Sequence, residues 1–96
     1  MLEKFSQIDL NQELERLIAL FQAGKIEVLL SEINQLLNQF PRSIALLNLK
    51  GISCSHLRNF KEAIKVYKKA VQIDPENPIT CFNLGVALYD LSLIHI

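Results

Sequence analysis

Apolar and small residues recur along the chain every three or four positions, in four successive stretches. The sets are Leu10, Leu14, Leu17, Ile18 and Phe21; Ile26, Leu29, Leu30, Ile33, Leu37 and Phe40; Ile44, Leu47, Gly51, Cys54 and Leu57; and Phe60, Ala63, Ile64, Tyr67, Ala70 and Val71. This spacing is typical of amphipathic α-helices, which bury one apolar stripe against a core. The pattern therefore predicts an all-α fold.

Capping residues and helix breakers separate these stretches. Asn59 and Glu62 have the spacing of a helix N-terminal capping pair, and Gly24 suits the C-terminal end of a helix. Asn77 followed by Pro78 gives a capping residue and then a proline in the first turn. Together these signals predict helices at residues 9–22, 26–39, 43–57, 60–72 and 78–90.

The breakers and small residues repeat along the chain. Pro41 and Pro75 are 34 residues apart, and so are Gly51 and Gly85. A period of this length in a helical chain indicates helix pairs stacked into a solenoid. We expect both glycines to lie where the two helices of a unit approach closely, so that a large side chain there would overpack the contact.

The residues on this period resemble a known repeat family. The segment 59–77, with Ala63, Tyr67, Ala70 and Pro75, resembles the second helix of a tetratricopeptide repeat (TPR), and 81–89 resembles the first helix of the next. The resemblance implies an all-α, TPR-like α-solenoid of about two and a half repeats and five helices. Its implied parts are a lead-in at 1–9, a divergent first repeat at 10–43, a second repeat at 44–77 and the first helix of a third at 78–90.

The last six residues, 91–96, depart from the repeat pattern. They read Leu-Ser-Leu-Ile-His-Ile, which matches one translated frame of the end of a transposon-based sequencing adapter. We expect this tail to be non-native and the chain to be an N-terminal fragment of a longer bacterial-type TPR protein. The last helix would then lack the helix that covers it, and we expect self-association through its uncovered apolar side.

The resemblance also implies a binding surface, because the first helices of stacked units line a concave groove. The residues predicted to line it are Asn48, Ile52, Ser55, His56, Phe82, Asn83, Val86 and Tyr89, with Leu14, Ile18 and Phe21 near its edge in the first unit. Asparagine amides can both donate to and accept from an extended peptide backbone. Asn83 matches an asparagine of the clamp with which some TPR proteins hold acidic C-termini, but the predicted groove contains no Lys or Arg. An apolar or neutral protein partner, or a neighbouring domain of the same chain, is therefore expected.

Charge and composition exclude several other functions. The 10 basic and 10 acidic residues cancel, which disfavours binding to nucleic acid although Lys61, Lys65, Lys68 and Lys69 form a basic stripe. No apolar run is long enough for a membrane span and no signal peptide is visible, so the sequence predicts a cytoplasmic protein.

No catalytic, metal or cofactor site is predicted. Cys54 and Cys81 lie on packing faces, where free cysteine acts as a small hydrophobic residue. His56 is the one candidate base near Cys54, but two residues apart on a helix they point in different directions. The sequence therefore predicts a non-catalytic protein-interaction scaffold. The alternative is the N-terminal TPR region of a larger enzyme of sulfotransferase, glycosyltransferase or oxygenase type.

Overall fold

Five α-helices make up the part of the chain that the computed structural model describes, residues 9–94. They are α1 (Leu10–Gln22), α2 (Ile26–Gln39), α3 (Ile44–His56), α4 (Phe60–Ile73) and α5 (Pro78–Ile94). The described residues contain no strand, so the predicted all-α class is confirmed. The last helix is longer than predicted, because Leu91 packs against the core cluster that contains Tyr67 and Ala87 and so extends the helix beyond residue 90.

Short polar side chains begin four of the helices. Asp9, Ser43, Asn59 and Asn77 each accept hydrogen bonds from backbone N–H groups two or three residues further on, at 3.0 to 3.4 Å. These bonds satisfy donors that a helix start leaves unpaired. Gly24, between α1 and α2, has a φ of 78°, a left-handed conformation that suits glycine at a helix end. The predicted helix boundaries therefore have local causes.

The helices stack in the order of the chain. Linkers of three or four residues join them, which makes consecutive helices antiparallel neighbours. In addition, α1 contacts α3 and α3 contacts α5, so the first helices of successive units lie side by side. This arrangement is that of a solenoid and places α1, α3 and α5 along one side of the molecule.

Leu46 links the first helix pair to the second. Its side chain is completely buried and comes from α3, but it belongs to a cluster built by α1 and α2. The other members of that cluster are Leu17, Leu29, Ile33 and Leu36. A second cluster joins Cys54 of α3, Ala63 and Tyr67 of α4, and Ala87 of α5. The core is therefore continuous along the stack.

The two glycines on the 34-residue period have different surroundings. A Cβ atom at Gly51 would lie 2.2 Å from Cε1 of Tyr67, so the predicted close approach of α3 and α4 is present. Gly85 is exposed, and a Cβ atom there would meet no atom within 4 Å. The same prediction was wrong for Gly85 in the described structure, because no described helix packs on that side of α5.

Candidate functional site

A shallow groove runs between α3 and α5. It encloses a cavity of about 200 Å³ whose lining includes five of the predicted site residues, Ile52, Ser55, Phe82, Asn83 and Val86. Phe82 is 71% exposed and Ile52 is 37% exposed, although both are large apolar side chains. Apolar surface in a concave setting is the usual character of a binding site.

The two asparagines on this side of the molecule have different partners. Asn48 of α3 donates its Nδ2–H to Oγ1 of Thr80 in α5 at 2.8 Å, and Thr80 is completely buried. Asn48 thus joins neighbouring repeat units, and it does not line the groove cavity. Asn83 does line that cavity, and its Nδ2 is buried without a hydrogen-bond partner among the described residues, as is Oδ1 of Asn48. An unpaired buried donor costs free energy, which a ligand acceptor can restore.

Tyr89 lies on another surface of α5. Together with Cys81, Phe82, Gly85 and Val86 it lines an open cavity of about 320 Å³, which we call the outer face of α5. Tyr89 does not line the cavity between α3 and α5. Phe82 and Val86 border both surfaces, because they lie on the ridge of α5 that separates the groove from the outer face.

The groove widens at one end into a cavity of about 560 Å³. It is lined by Phe21, Ile52, Ser55, His56, Arg58, Phe60, Asp90, Leu93 and Ile94. The rings of Phe21 and His56 meet edge to face at 5.4 Å, which joins α1 to the end of α3. The Arg58 guanidinium lies 5.6 Å from the centre of the Phe60 ring, a cation–π distance.

Arg58 corrects the expectation that the groove lacks a basic residue. The expectation is correct for the cavity between α3 and α5, but Arg58 and Asp90 line the wider end of the groove. Arg58 lies in the loop after α3 with a φ of 63°, a left-handed conformation that is uncommon outside glycine. A helical face pattern cannot place a loop residue, so the periodicity of the sequence gave no signal for it.

Cys54 is a structural residue of the core. Cys54 is 4% exposed, and its pKa is raised, first by burial and then by the nearby Glu62 carboxylate. A raised pKa keeps the thiol protonated and unreactive. Cys81 is exposed, which contradicts its predicted place on a packing face. Within residues 9–94 no group of three or more His, Cys, Asp or Glu side chains could hold a metal ion.

Tyr67 makes the free energy of unfolding depend on pH in the alkaline range. Burial raises its pKa to about 12, with the Ser55 hydroxyl acting in the opposite direction. The pKa of a tyrosine in the unfolded chain is about 10. Below that value both states keep the proton and this contribution to stability is fully present. As the pH rises toward 12, the unfolded state loses the proton first, so the free energy of unfolding falls.

We expect Tyr67→Phe to remove this loss. In urea unfolding from neutral pH upward, the free energy of unfolding of the parent should fall by about 2 kcal/mol relative to that of the variant across the alkaline range. Phenylalanine retains the ring on Gly51, so other alkaline effects are common to both proteins. Parallel pH profiles for the two proteins would contradict the prediction.

Comparison with known proteins agrees with the helical stacking. The family model for the TPR repeat matches residues 59–92. The chain carries a tetratricopeptide repeat. The matched segment covers α4 and most of α5. No curated protein matches the chain.

The TPR resemblance noted for residues 59–77 and 81–89 is thereby confirmed. TPR units generally mediate contacts between proteins, which is consistent with a groove that exposes apolar side chains. None of the helices within 9–94 has both the length and the apolar character required to cross a membrane.

Proposed function

We propose that this TPR protein is a non-catalytic scaffold that binds an extended segment of a partner protein in the groove between α3 and α5. The observation that carries the proposal is the pairing of exposed apolar side chains with an unsatisfied amide donor. Phe82 and Ile52 provide apolar contact, and Nδ2 of Asn83 lies buried beside them without an acceptor. A rotation of the Asn83 side chain toward the cavity would bring that donor to a backbone carbonyl of a bound segment.

The charges around the groove favour a mostly apolar partner. The cavity between α3 and α5 has Asp90 as its one charged lining residue. At the wider end Arg58 and Asp90 bring opposite charges to the same cavity, so no single-sign field selects an acidic or a basic ligand. The best-fitting segment is therefore apolar and uncharged where it meets Ile52 and Phe82, with polar groups toward Arg58.

Selection from a random peptide library displayed on phage provides a probe for the groove. We expect the selected peptides to be apolar and uncharged at their centre and to bind the parent chain. Ile52→Glu should weaken their binding at least about tenfold, because it places a charge on apolar contact surface. Val28→Glu is the matched control, since Val28 is 50% exposed on α2 away from the groove. Equal losses in both variants would contradict the proposed site.

Asn83→Leu tests the role assigned to the amide. The substitution removes a buried donor that has no partner among the described residues, so stability without peptide should not fall. Peptide affinity should fall by about three- to tenfold, the usual worth of one neutral hydrogen bond. A variant that loses stability but binds as well as the parent would show that Asn83 has only a structural role.

We also propose that the chain self-associates through the apolar outer face of α5. Seven large apolar residues of α5 are exposed, namely Ile79, Phe82, Val86, Leu88, Tyr89, Leu93 and Ile94, and Phe82, Val86 and Tyr89 among them line the outer face. A concentration of exposed apolar side chains on one helix is typical of an interaction surface.

A further inference from the structure

The shape of the outer face of α5 at Gly85 can be inferred from the equivalent position in α3, Gly51. Position 51 and position 85 are equivalent on the 34-residue period, and at Gly51 the missing side chain makes room for the ring of Tyr67. Three atoms of that ring lie 2.2 to 2.8 Å from where a Cβ atom would be. Gly85 leaves the same gap on its helix, which we call the notch, but no atom lies within 4 Å of the equivalent point. An aromatic ring from outside therefore fits at Gly85.

Phe82 supplies such a ring one turn away on the same helix. Its side chain is 71% exposed, and Tyr89 on the other side of the notch is 66% exposed. Pro78, Phe82, Gly85 and Tyr89 are spaced by four, three and four residues, which forms a single seam along α5. This is the spacing with which two helices pack knobs into holes.

We infer that the face pairs with a second copy of this chain, α5 against α5 in antiparallel orientation, with Phe82 of each copy seated on Gly85 of the other. This inference rests on the self-association proposed above and specifies its register. A two-fold axis makes the two contacts identical, as a closed dimer requires. In the same register Tyr89 of each copy lies opposite Pro78 of the other, so the whole seam is used.

Charge favours a second copy as the occupant. No charged residue occurs from Pro78 to Tyr89, and the chain has a formal net charge of zero, so neither local nor long-range repulsion opposes the pairing. A partner with a charged docking surface would find no counter-charge on this seam.

The available area indicates a weak dimer. Aromatic side chains bury roughly 150–250 Å² each when fully covered, and two of them are about two-thirds exposed here. With Val86, Leu88 and Cys81 at the edges, the two copies would bury on the order of 1,000 Å² together, near the lower limit for a specific interface. We therefore expect reversible dimerisation at micromolar or higher concentration rather than a permanent complex.

Gly85→Leu provides the sharpest test. Nonspecific association through an apolar face would persist or strengthen when leucine is added. The contact of Phe82 with the notch at Gly85 would instead be blocked. Sedimentation equilibrium of the parent chain should show a monomer–dimer equilibrium, and Gly85→Leu should weaken dimerisation at least about tenfold. Thermal melts of the dilute proteins serve as the control, because Gly85 is exposed and a Cβ atom there meets no atom within 4 Å, so leucine should not destabilise the monomer.

A mixing experiment tests the register. Phe82→Lys and Gly85→Glu should each be monomeric alone, because each loses both ring-on-glycine contacts. An equimolar mixture should recover dimers, since one native Phe82–Gly85 contact remains and the other is replaced by an ion pair. A mixture that stays monomeric, while the parent dimerises and Gly85→Leu does not, would overturn the register.

The outcomes separate this inference from the proposed groove. A parent chain that stays monomeric at every concentration overturns the dimer, and so does association that Gly85→Leu leaves unchanged. Either result leaves the groove open to its own test, because Ile52 lies outside the outer face. Since Phe82 and Val86 border both surfaces, the peptide assay with Ile52→Glu uses dilute, monomeric protein and so reports on the groove alone.

Discussion

Gly51→Leu is expected to unfold the chain. Even the first atom of a new side chain would lie 2.2 Å from Cε1 of Tyr67, whose ring is 2% exposed and cannot move aside. One added methyl group in a packed core typically costs about 1–3 kcal/mol, and leucine adds three further carbon atoms. Since the whole stability of a domain of this size is roughly 5–10 kcal/mol, little folded protein should remain.

Gly85→Ala is the matched control for this prediction. It changes the equivalent position of the next unit, where no atom lies within 4 Å. At concentrations that keep the chain monomeric, alanine should be neutral or stabilise α5 by up to ~1 kcal/mol, because it favours the helix more than glycine does. Urea unfolding should rank Gly85→Ala at or above the parent and Gly51→Ala well below it. Equal unfolding midpoints at the two positions would show that the contact with Tyr67 is not tight.

Leu46→Ala should cost about 2–5 kcal/mol of unfolding free energy, the range for a large apolar side chain deleted from a core. Leu46 is 0% exposed and is the α3 residue in the buried cluster of α1 and α2. Its loss should therefore loosen α1 and α2 from the remainder of the stack. Hydrogen exchange should show faster exchange in those two helices than in α4.

Ile18→Ala is the control for Leu46→Ala. Ile18 is also a large apolar residue in the first part of the chain, but it is 46% exposed, so its truncation should cost less than about 1 kcal/mol. If the two variants unfolded at the same urea concentration, Leu46 would not be the link between the helix pairs.

Local signals in the sequence were sufficient to predict the helices. Asn59 and Asn77, which the sequence predicted as caps, each accept a hydrogen bond from the backbone N–H three residues further on, so short segments contain the whole cause. The end of α5 was missed because it depends on a tertiary contact, the packing of Leu91 on the cluster around Tyr67. No periodicity of residues 78–90 contains that information.

The groove was predicted less completely, for similar reasons. The positions of Ile52 and Phe82 could be predicted from the faces of their own helices. The role of Asn48 is set by its hydrogen bond to Thr80, a residue 32 positions away. Tyr89 was assigned to the groove, whereas the rotation of α5 places it on the outer face. Arg58 required knowledge of a loop conformation. Contacts between helices therefore determine the role of a residue, even where its own helix is predicted correctly.

Chemical-shift mapping with a library-selected peptide tests the central claim most directly. As the peptide is titrated into the labelled protein, the largest amide shifts should fall at Ile52, Ser55 and Asn83, with the side-chain amide of Asn83 moving as its Nδ2–H finds an acceptor. Val28 on α2 and Lys65 on α4 should not shift. Shifts centred on α2 and α4, with the groove residues unchanged, would contradict the groove as the site of binding.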